Sequence, residues 1–291
     1  MYMLEQKDKT NLPAVLEKCR KAGYFKHNCL DAFFKAEETY HLLDHIYTKD
    51  VDLTIALFEE LPFTAKEIDA YLHMISYSID FRSEFMVAHT ITTTSISCEL
   101  ARLCGMNVEQ QQRIYYGALL HDIGKVAIPV SILDFPGKLD TYDMEIMRSH
   151  AAYTIKILDH LLDEETAHIA SRHHEKLDGS GYPLGLRGEV LTKSERIVAI
   201  ADILSALIGK RSYKEAFDTN KIRLILETMV HHNQIDGDIT EIALDNFDRI
   251  IETVQKDCAP ILASYHAIAT DYKEIITIFS ESYVHKNKLM I

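Results

Sequence analysis

Apolar positions recur every three to four residues along most of this chain, the period of helices that bury one face. Residues 12–22, 28–47, 50–60 and 65–80 read as helices on that pattern, with a break at Leu61-Pro62-Phe63. A second helical run starts near Phe85, and Met86 to Cys104 reads as a helix stopped by Gly105. Asn107 and Gln110 have the spacing of a capping box. The helix they open is expected to run to Asp122 and to end at Gly124. Further helices are expected from about Tyr142 to Leu162 and from Glu164 to about His174. Thr192 and Glu195 repeat the capping-box spacing before a helix from Arg196 to Ile208. The pattern resumes at about 220–233, 239–257 and 259–284, with a turn at Asp236-Gly237-Asp238. No run of alternating Val, Ile and Thr bounded by turn residues stands out. The expected fold is therefore all-α, with an N-terminal helical module to about residue 80 and a larger domain over 81–291.

Two stretches depart from this pattern. Residues 175–193 form a long Gly-rich loop, Lys176-Leu177-Asp178-Gly179-Ser180-Gly181-Tyr182-Pro183 and onward. A loop of this length inside a compact domain usually carries function. The helix Arg196–Ile208 is apolar nearly all round, so it should be buried, yet Asp202 sits in its middle. A buried carboxylate needs a cation, a proton or a hydrogen-bonding partner. Asp202 could meet that need with a buried Arg or Lys, with a backbone cap, or with a metal.

Composition narrows the function classes. The chain has 291 residues, 47% of them hydrophobic and 26% charged, which is ordinary for a globular protein. Its net charge of −13 argues against a broad surface for duplex DNA or RNA. An anionic small substrate would have to meet a local cluster of cations or metals. Cys19, Cys29, Cys98, Cys104 and Cys258 are odd in number and contain no C-x-x-C pair. They read as free thiols in a reducing cytoplasm. Residues 1–10 carry Glu5, Lys7, Asp8 and Lys9 and no apolar signal core. No apolar run approaches the roughly 20 residues that span a bilayer. The expectation is a cytoplasmic protein with no membrane contact.

Fifteen histidines matter through their positions. His89, His121, Asp122, His150, His173 and His174 all lie on helices or at helix ends of the second region, together with Asp202. The adjacent pairs His121-Asp122 and His173-His174 point in different directions from a helix end and can serve neighbouring ions. Five imidazoles and two carboxylates exceed the needs of one tetrahedral zinc. They suit two six-coordinate ions that share a carboxylate. The mixed N/O set favours Fe or Mn, with Zn, Ni or Co as alternatives. Two such ions would clamp a phosphodiester and activate water at neutral pH.

In order, His121-Asp122-Ile123-Gly124-Lys125, His173-His174-Glu175 and Asp178-Gly179-Ser180-Gly181-Tyr182-Pro183 resemble the HD-GYP subfamily of HD-domain phosphohydrolases. The resemblance covers about residues 83–235 and extends to Pro136-Gly137-Lys138-Leu139, Arg148-Ser149-His150, Gly185-Leu186-Arg187-Gly188, Arg196-Ile197 and Ala201-Asp202. It implies an all-helical HD-domain bundle that hydrolyses cyclic di-GMP to linear pGpG with a hydroxide bridging two metals. By the same resemblance His89, His121, Asp122 and Asp202 form the basic metal set, with Asp122 bridging. His150, His173 and His174 complete the second site. Lys125 meets the scissile phosphate, Tyr182 lies against the substrate, and Arg211 and Lys214 contact phosphate or guanine.

Departures from the family pattern sharpen the expectation. Phe85 occupies the position where some members carry a glutamate for a third metal, and Glu84 lies about 100° round the helix from it. Two metals are therefore expected, which the family associates with stopping at pGpG rather than continuing to GMP. Ser205 stands where an Asp is common, Ser212 where a proline precedes Tyr213, and Ile235-Asp236-Gly237 where a Phe-Asp-Pro turn is usual. Two rival readings are 3'3'-cyclic GMP–AMP as the substrate, and a weakly active signalling module whose output is partner binding. The long C-terminal helices could also pair with a second copy of the chain.

Overall fold

A computed structural model describes residues 64–80, 84–135, 137–209 and 218–288, together with residues 31, 34, 35 and 38 in helical conformation. The helices expected at 12–22 and 50–60, and most of 28–47, lie outside the described residues, as do Arg211 and Lys214. The chain forms two compact units, Met1–Thr64 and Ala65–Ile291. The second unit begins at Ala65, not at residue 81 as the sequence pattern suggests.

Within that unit the order is α1 (Ala65–Asp80), α2 (Glu84–Leu103), α3 (Val108–Leu120), a 3₁₀ helix (Ile123–Ala127), α4 (Val130–Leu133), α5 (Thr141–Leu158), α6 (Glu164–Ser171), α7 (Lys193–Ile208), α8 (Thr219–His231), α9 (Gly237–Asp245) and α10 (Phe247–Lys288). Helix α1 joins this unit because it packs on α2, α3 and the 3₁₀ helix. Its Ile79 is buried with Leu119, Leu120 and Ile123. The described residues hold no strand beyond an isolated bridge between Asp178 and Arg187. No described helix is long and apolar enough to cross a membrane.

Helix α2 runs through the middle, packed against α7 on one side and α10 on another. Ile91, Ile96 and Leu100 of α2 are buried with Ile197, Ile200 and Leu204 of α7 and Ile250 and Val254 of α10. Burial of each such side chain contributes about 1.5–3 kcal/mol. Both capping boxes form: Asn107 accepts from Gln110 N and Thr192 from Glu195 N, and each partner side chain returns to the cap backbone. Asp236 caps α9 by accepting from Ile239 N at 3.1 Å.

Several boundaries differ from expectation, among them the ends of α5 at Leu158 and of α6 at Ser171. Helix α3 ends at Leu120, with His121 as its cap, and Gly124 lies inside the following 3₁₀ helix rather than terminating α3. A Cβ on Gly124 would sit 2.0 Å from the His150 carbonyl oxygen, so the glycine is there for close approach to α5. The expected helices 239–257 and 259–284 are instead divided at Asn246, and α10 continues through Pro260. Proline removes one N–H from the ladder, but tertiary burial of Ile250, Val254 and Cys258 on α2 keeps that face of α10 continuous.

Candidate metal centre

Helices α2, α5 and α7, the junction of α3 with the 3₁₀ helix and the turn after α6 bring seven side chains together. His89 comes from α2, His121 caps α3, Asp122 opens the 3₁₀ helix, and His150 lies on α5. His173 and His174 follow α6, and Asp202 comes from α7. Backbone contacts set the His121-Asp122 step against α5. Thr154 donates to the His121 carbonyl and accepts from Gly124 N, both at 3.1 Å. Arg172 donates to Glu195 at 3.0 Å and steadies the turn before His173.

Asp122 stands between two groups of imidazoles. Its Oδ2 is 3.2 Å from His121 Nε2 and 3.6 Å from His89 Nε2, and its Oδ1 is 3.4 Å from His150 Nε2. Asp202 reaches the same region from the other side. Its Oδ1 is 3.0 Å from His89 Nε2, and its Oδ2 is 3.6 Å from His174 Nδ1. The donor atoms of His89, His121 and Asp122 lie within 4.8 Å of one another, and so do those of His150, His173 and His174. Each group could hold a metal ion.

The hydrogen bonds at the far side of the rings test whether these residues fit a metal. His121, His150 and His173 each turn Nδ1 to the carbonyl three residues back, Ala118, Met147 and Ala170, at 2.6–2.7 Å. A carbonyl only accepts, so in the neutral rings Nδ1 carries the proton and Nε2 the lone pair. His121 Nε2 lies 3.4 Å from His89 Nε2, and the lone-pair nitrogens of His150 and His173 face one another at 3.4 Å. Such a pair needs a positive charge between its members. The donor set and its outer hydrogen bonds therefore fit divalent cations.

Electrostatics separate the imidazoles. Burial holds His150, His173 and His174 below the usual imidazole range, His174 at about 4. They stay neutral at pH 7, as a ligand must. Burial also pulls on His121, but the neighbouring Asp122 outweighs it and pushes His121 up to about 9. Asp122 is held well below the usual carboxylate range: burial opposes this, and His121 and Lys125 prevail. Asp202 is likewise depressed, against burial, chiefly by its hydrogen bond to His89 and by His174.

Lys125 forms a close ion pair with Asp122 Oδ2, so its ammonium lies at the edge of the cluster. The Tyr182 ring lies 4.6 Å from that of His174, and the Arg148 guanidinium is 5.3 Å from its centroid. The loop that carries Tyr182 is clamped by Glu175, which is 3% exposed and accepts from Leu184 N at 2.7 Å and Leu186 N at 2.8 Å. Gly181 packs on the backbone of 174–176, where a Cβ would come within 2.5 Å of the Glu175 Cα. The clamp role of Glu175 and the buttress role of Thr154 are not readable from local pattern. Thr154 follows His150 by one helical turn, and that spacing was the available signal. The site residues expected from the sequence converge, apart from Arg211 and Lys214, which lie outside the described residues, as does the side chain of Phe85.

The family described as "HD domain" matches residues 73–239. The chain is 38% identical over 213 residues to "3'3'-cGAMP-specific phosphodiesterase 2" of Vibrio cholerae serotype O1, covering 71% of this chain and 40% of that protein. It is 31% identical over 205 residues to "3'3'-cGAMP-specific phosphodiesterase 1" of the same organism, covering 69% and 47%. It is 38% identical over 149 residues to "Cyclic di-GMP phosphodiesterase response regulator RpfG" of Xanthomonas campestris pv. campestris, covering 50% and 39%. The chain thus spans less than half the length of these relatives. With the family match running from α1 to α9 and the paired His121-Asp122 at the centre of the cluster, the chain belongs to the HD-domain family.

Proposed function

We propose that the chain is a metal-dependent phosphodiesterase that hydrolyses a 3′–5′ phosphodiester bond of a cyclic dinucleotide. The observation that carries this reading is Asp122, whose two oxygens face two separate imidazole groups. His89, His121, Asp122 and Asp202 would hold one ion, and Asp122, His150, His173 and His174 the other, with Fe or Mn favoured by the N/O donor set. When bound, two divalent ions polarise the phosphate and supply an activated water at neutral pH. The chain's own part is to orient and to neutralise. Lys125 sets a fixed positive charge beside Asp122, where negative charge on a phosphoryl oxygen would grow. Its ammonium is stabilised there: burial opposes the charge, and Asp122 more than offsets it. Tyr182 presents its ring beside His174, fixed by the Glu175 clamp, as a wall for the substrate. Arg211 and Lys214 would add cations for phosphate or guanine.

Cyclic di-GMP, cleaved to linear pGpG, is the first substrate reading, on the strength of the His173-His174-Glu175 and Gly181-Tyr182-Pro183 motifs. Cyclic GMP–AMP is the second, favoured by the printed names of two Vibrio cholerae relatives. The test is anaerobic loading with Fe or Mn, followed by separate assays with both dinucleotides and identification of the product. Turnover of one of them, lost in Asp122→Ala, is expected. A folded, metal-loaded protein that hydrolyses neither would end this reading.

A further inference from the structure

His89 differs from three of the other imidazoles of the centre. His121, His150 and His173 each lock Nδ1 onto a carbonyl of their own helix. His89 Nδ1 instead lies 2.9 Å from Ser205 Oγ, a side chain on α7. The same hydroxyl donates to the His89 carbonyl oxygen at 3.3 Å. Ser205 is 2% exposed and His89 8%, so water does not substitute readily for either contact. Ser205 follows Asp202 by three positions on α7, and both side chains meet the one ring, Asp202 Oδ1 at Nε2 and Ser205 Oγ at Nδ1.

The two contacts compete over the proton of the neutral ring. Asp202 can only accept, so on its own it draws the proton to Nε2. A hydroxyl can donate or accept. Its one proton is directed to the His89 carbonyl, which leaves an Oγ lone pair for an Nδ1–H. We propose that Ser205 is a positioning residue for the centre: its hydroxyl holds His89 in the Nδ1–H tautomer and so keeps Nε2 as a metal ligand. This rests on the reading of the centre as a metal site. Outer partners of metal-bound imidazoles typically change metal affinity by 10- to 100-fold when removed.

The test uses the whole chain. Long-range ¹H–¹⁵N spectra of chelator-treated protein report which His89 nitrogen carries the proton, and calorimetry gives the Mn²⁺ affinity. Wild type should show Nδ1–H. Ser205→Ala should show Nε2–H, now directed at Asp202, with Mn²⁺ affinity lower by about 10- to 100-fold. Ser97→Ala is the control. Ser97 is fully buried on α2, the helix of His89, its Oγ has no hydrogen-bond partner among the described residues, and its loss should move neither readout. An Nε2–H signal in wild type, or wild-type Mn²⁺ affinity in Ser205→Ala, would overturn the assignment. Wild-type protein with Nδ1–H at His89 but no Mn²⁺ binding would instead count against the metal reading alone.

Discussion

Asp80, at the end of α1, is a carboxylate that the centre does not use. It is 3% exposed, and burial pushes its pKa from 3.8 up to about 6, with a further push from Asp122. An acid raised in the folded state binds more protons folded than unfolded. Stability contributed by its neutral form is therefore present at low pH and is lost as pH rises from 3.8 through about 6. A shift of this size corresponds to roughly 2–3 kcal/mol at neutral pH. Asp80→Asn should remove that loss, so that denaturant unfolding of chelator-treated variant is harder than wild type at pH 7 by about 2 kcal/mol. The two should converge near pH 4. A variant that keeps the wild-type pH slope would show that Asp80 is ionised at no cost. Local pattern marks Asp80 only as a polar residue at a helix end. Its burial comes from the docking of α1 on the 3₁₀ helix and α3.

At the scale of elements, the link between the two imidazole groups is the contact of the 3₁₀ helix with α5. Gly124 makes it possible, because a Cβ there would lie 2.0 Å from the His150 carbonyl oxygen and 2.6 Å from Thr154 N. Both obstacles are backbone and cannot rotate away. Gly124→Ala should therefore force the 3₁₀ helix off α5 and destabilise the unit by about 1–3 kcal/mol in urea unfolding. It should also widen the Asp122–His150 contact of 3.4 Å and lower the metal count per chain below that of wild type. Unchanged stability and metal content would mean that the close approach is not needed. The glycine was visible in the sequence as a helix stop, and the structure assigns it another task. A stop signal and a close-approach site require the same residue, and only the neighbouring helix tells them apart. Glu175 gives the same lesson, since nothing local marks a carboxylate that will accept two backbone N–H groups nine and eleven positions on.

For the whole molecule, metal bound at a centre built from five segments would couple its binding to folding. An ion that binds only the folded state adds RT ln(1 + [L]/Kd), about 2.7 kcal/mol at a hundredfold excess over Kd. For a unit of roughly two hundred residues this raises the melting temperature by about 5–10 °C. Thermal melts in rising Mn²⁺, reversed by chelator, should show the increase, and Asp122→Ala should show little of it. A wild-type melt that ignores Mn²⁺ would be incompatible with two resident ions.

The amino-acid sequence by itself determined the helical class, both capping boxes and the buried Asp202 helix, and it singled out the histidines and aspartates that the fold brings together. These depend on local periodicity and on residue chemistry that few other arrangements can satisfy. It placed the start of the large unit too late, because whether Ala65–Asp80 joins that unit depends on which face of it finds a partner. Tertiary structure alone decided that Asp122 stands between two imidazole groups, that α10 runs on through Pro260, and that Ser205 rather than a backbone carbonyl meets His89. Each of these joins residues far apart in the chain. Neither period nor spacing carries that information, which arises only when helices pack.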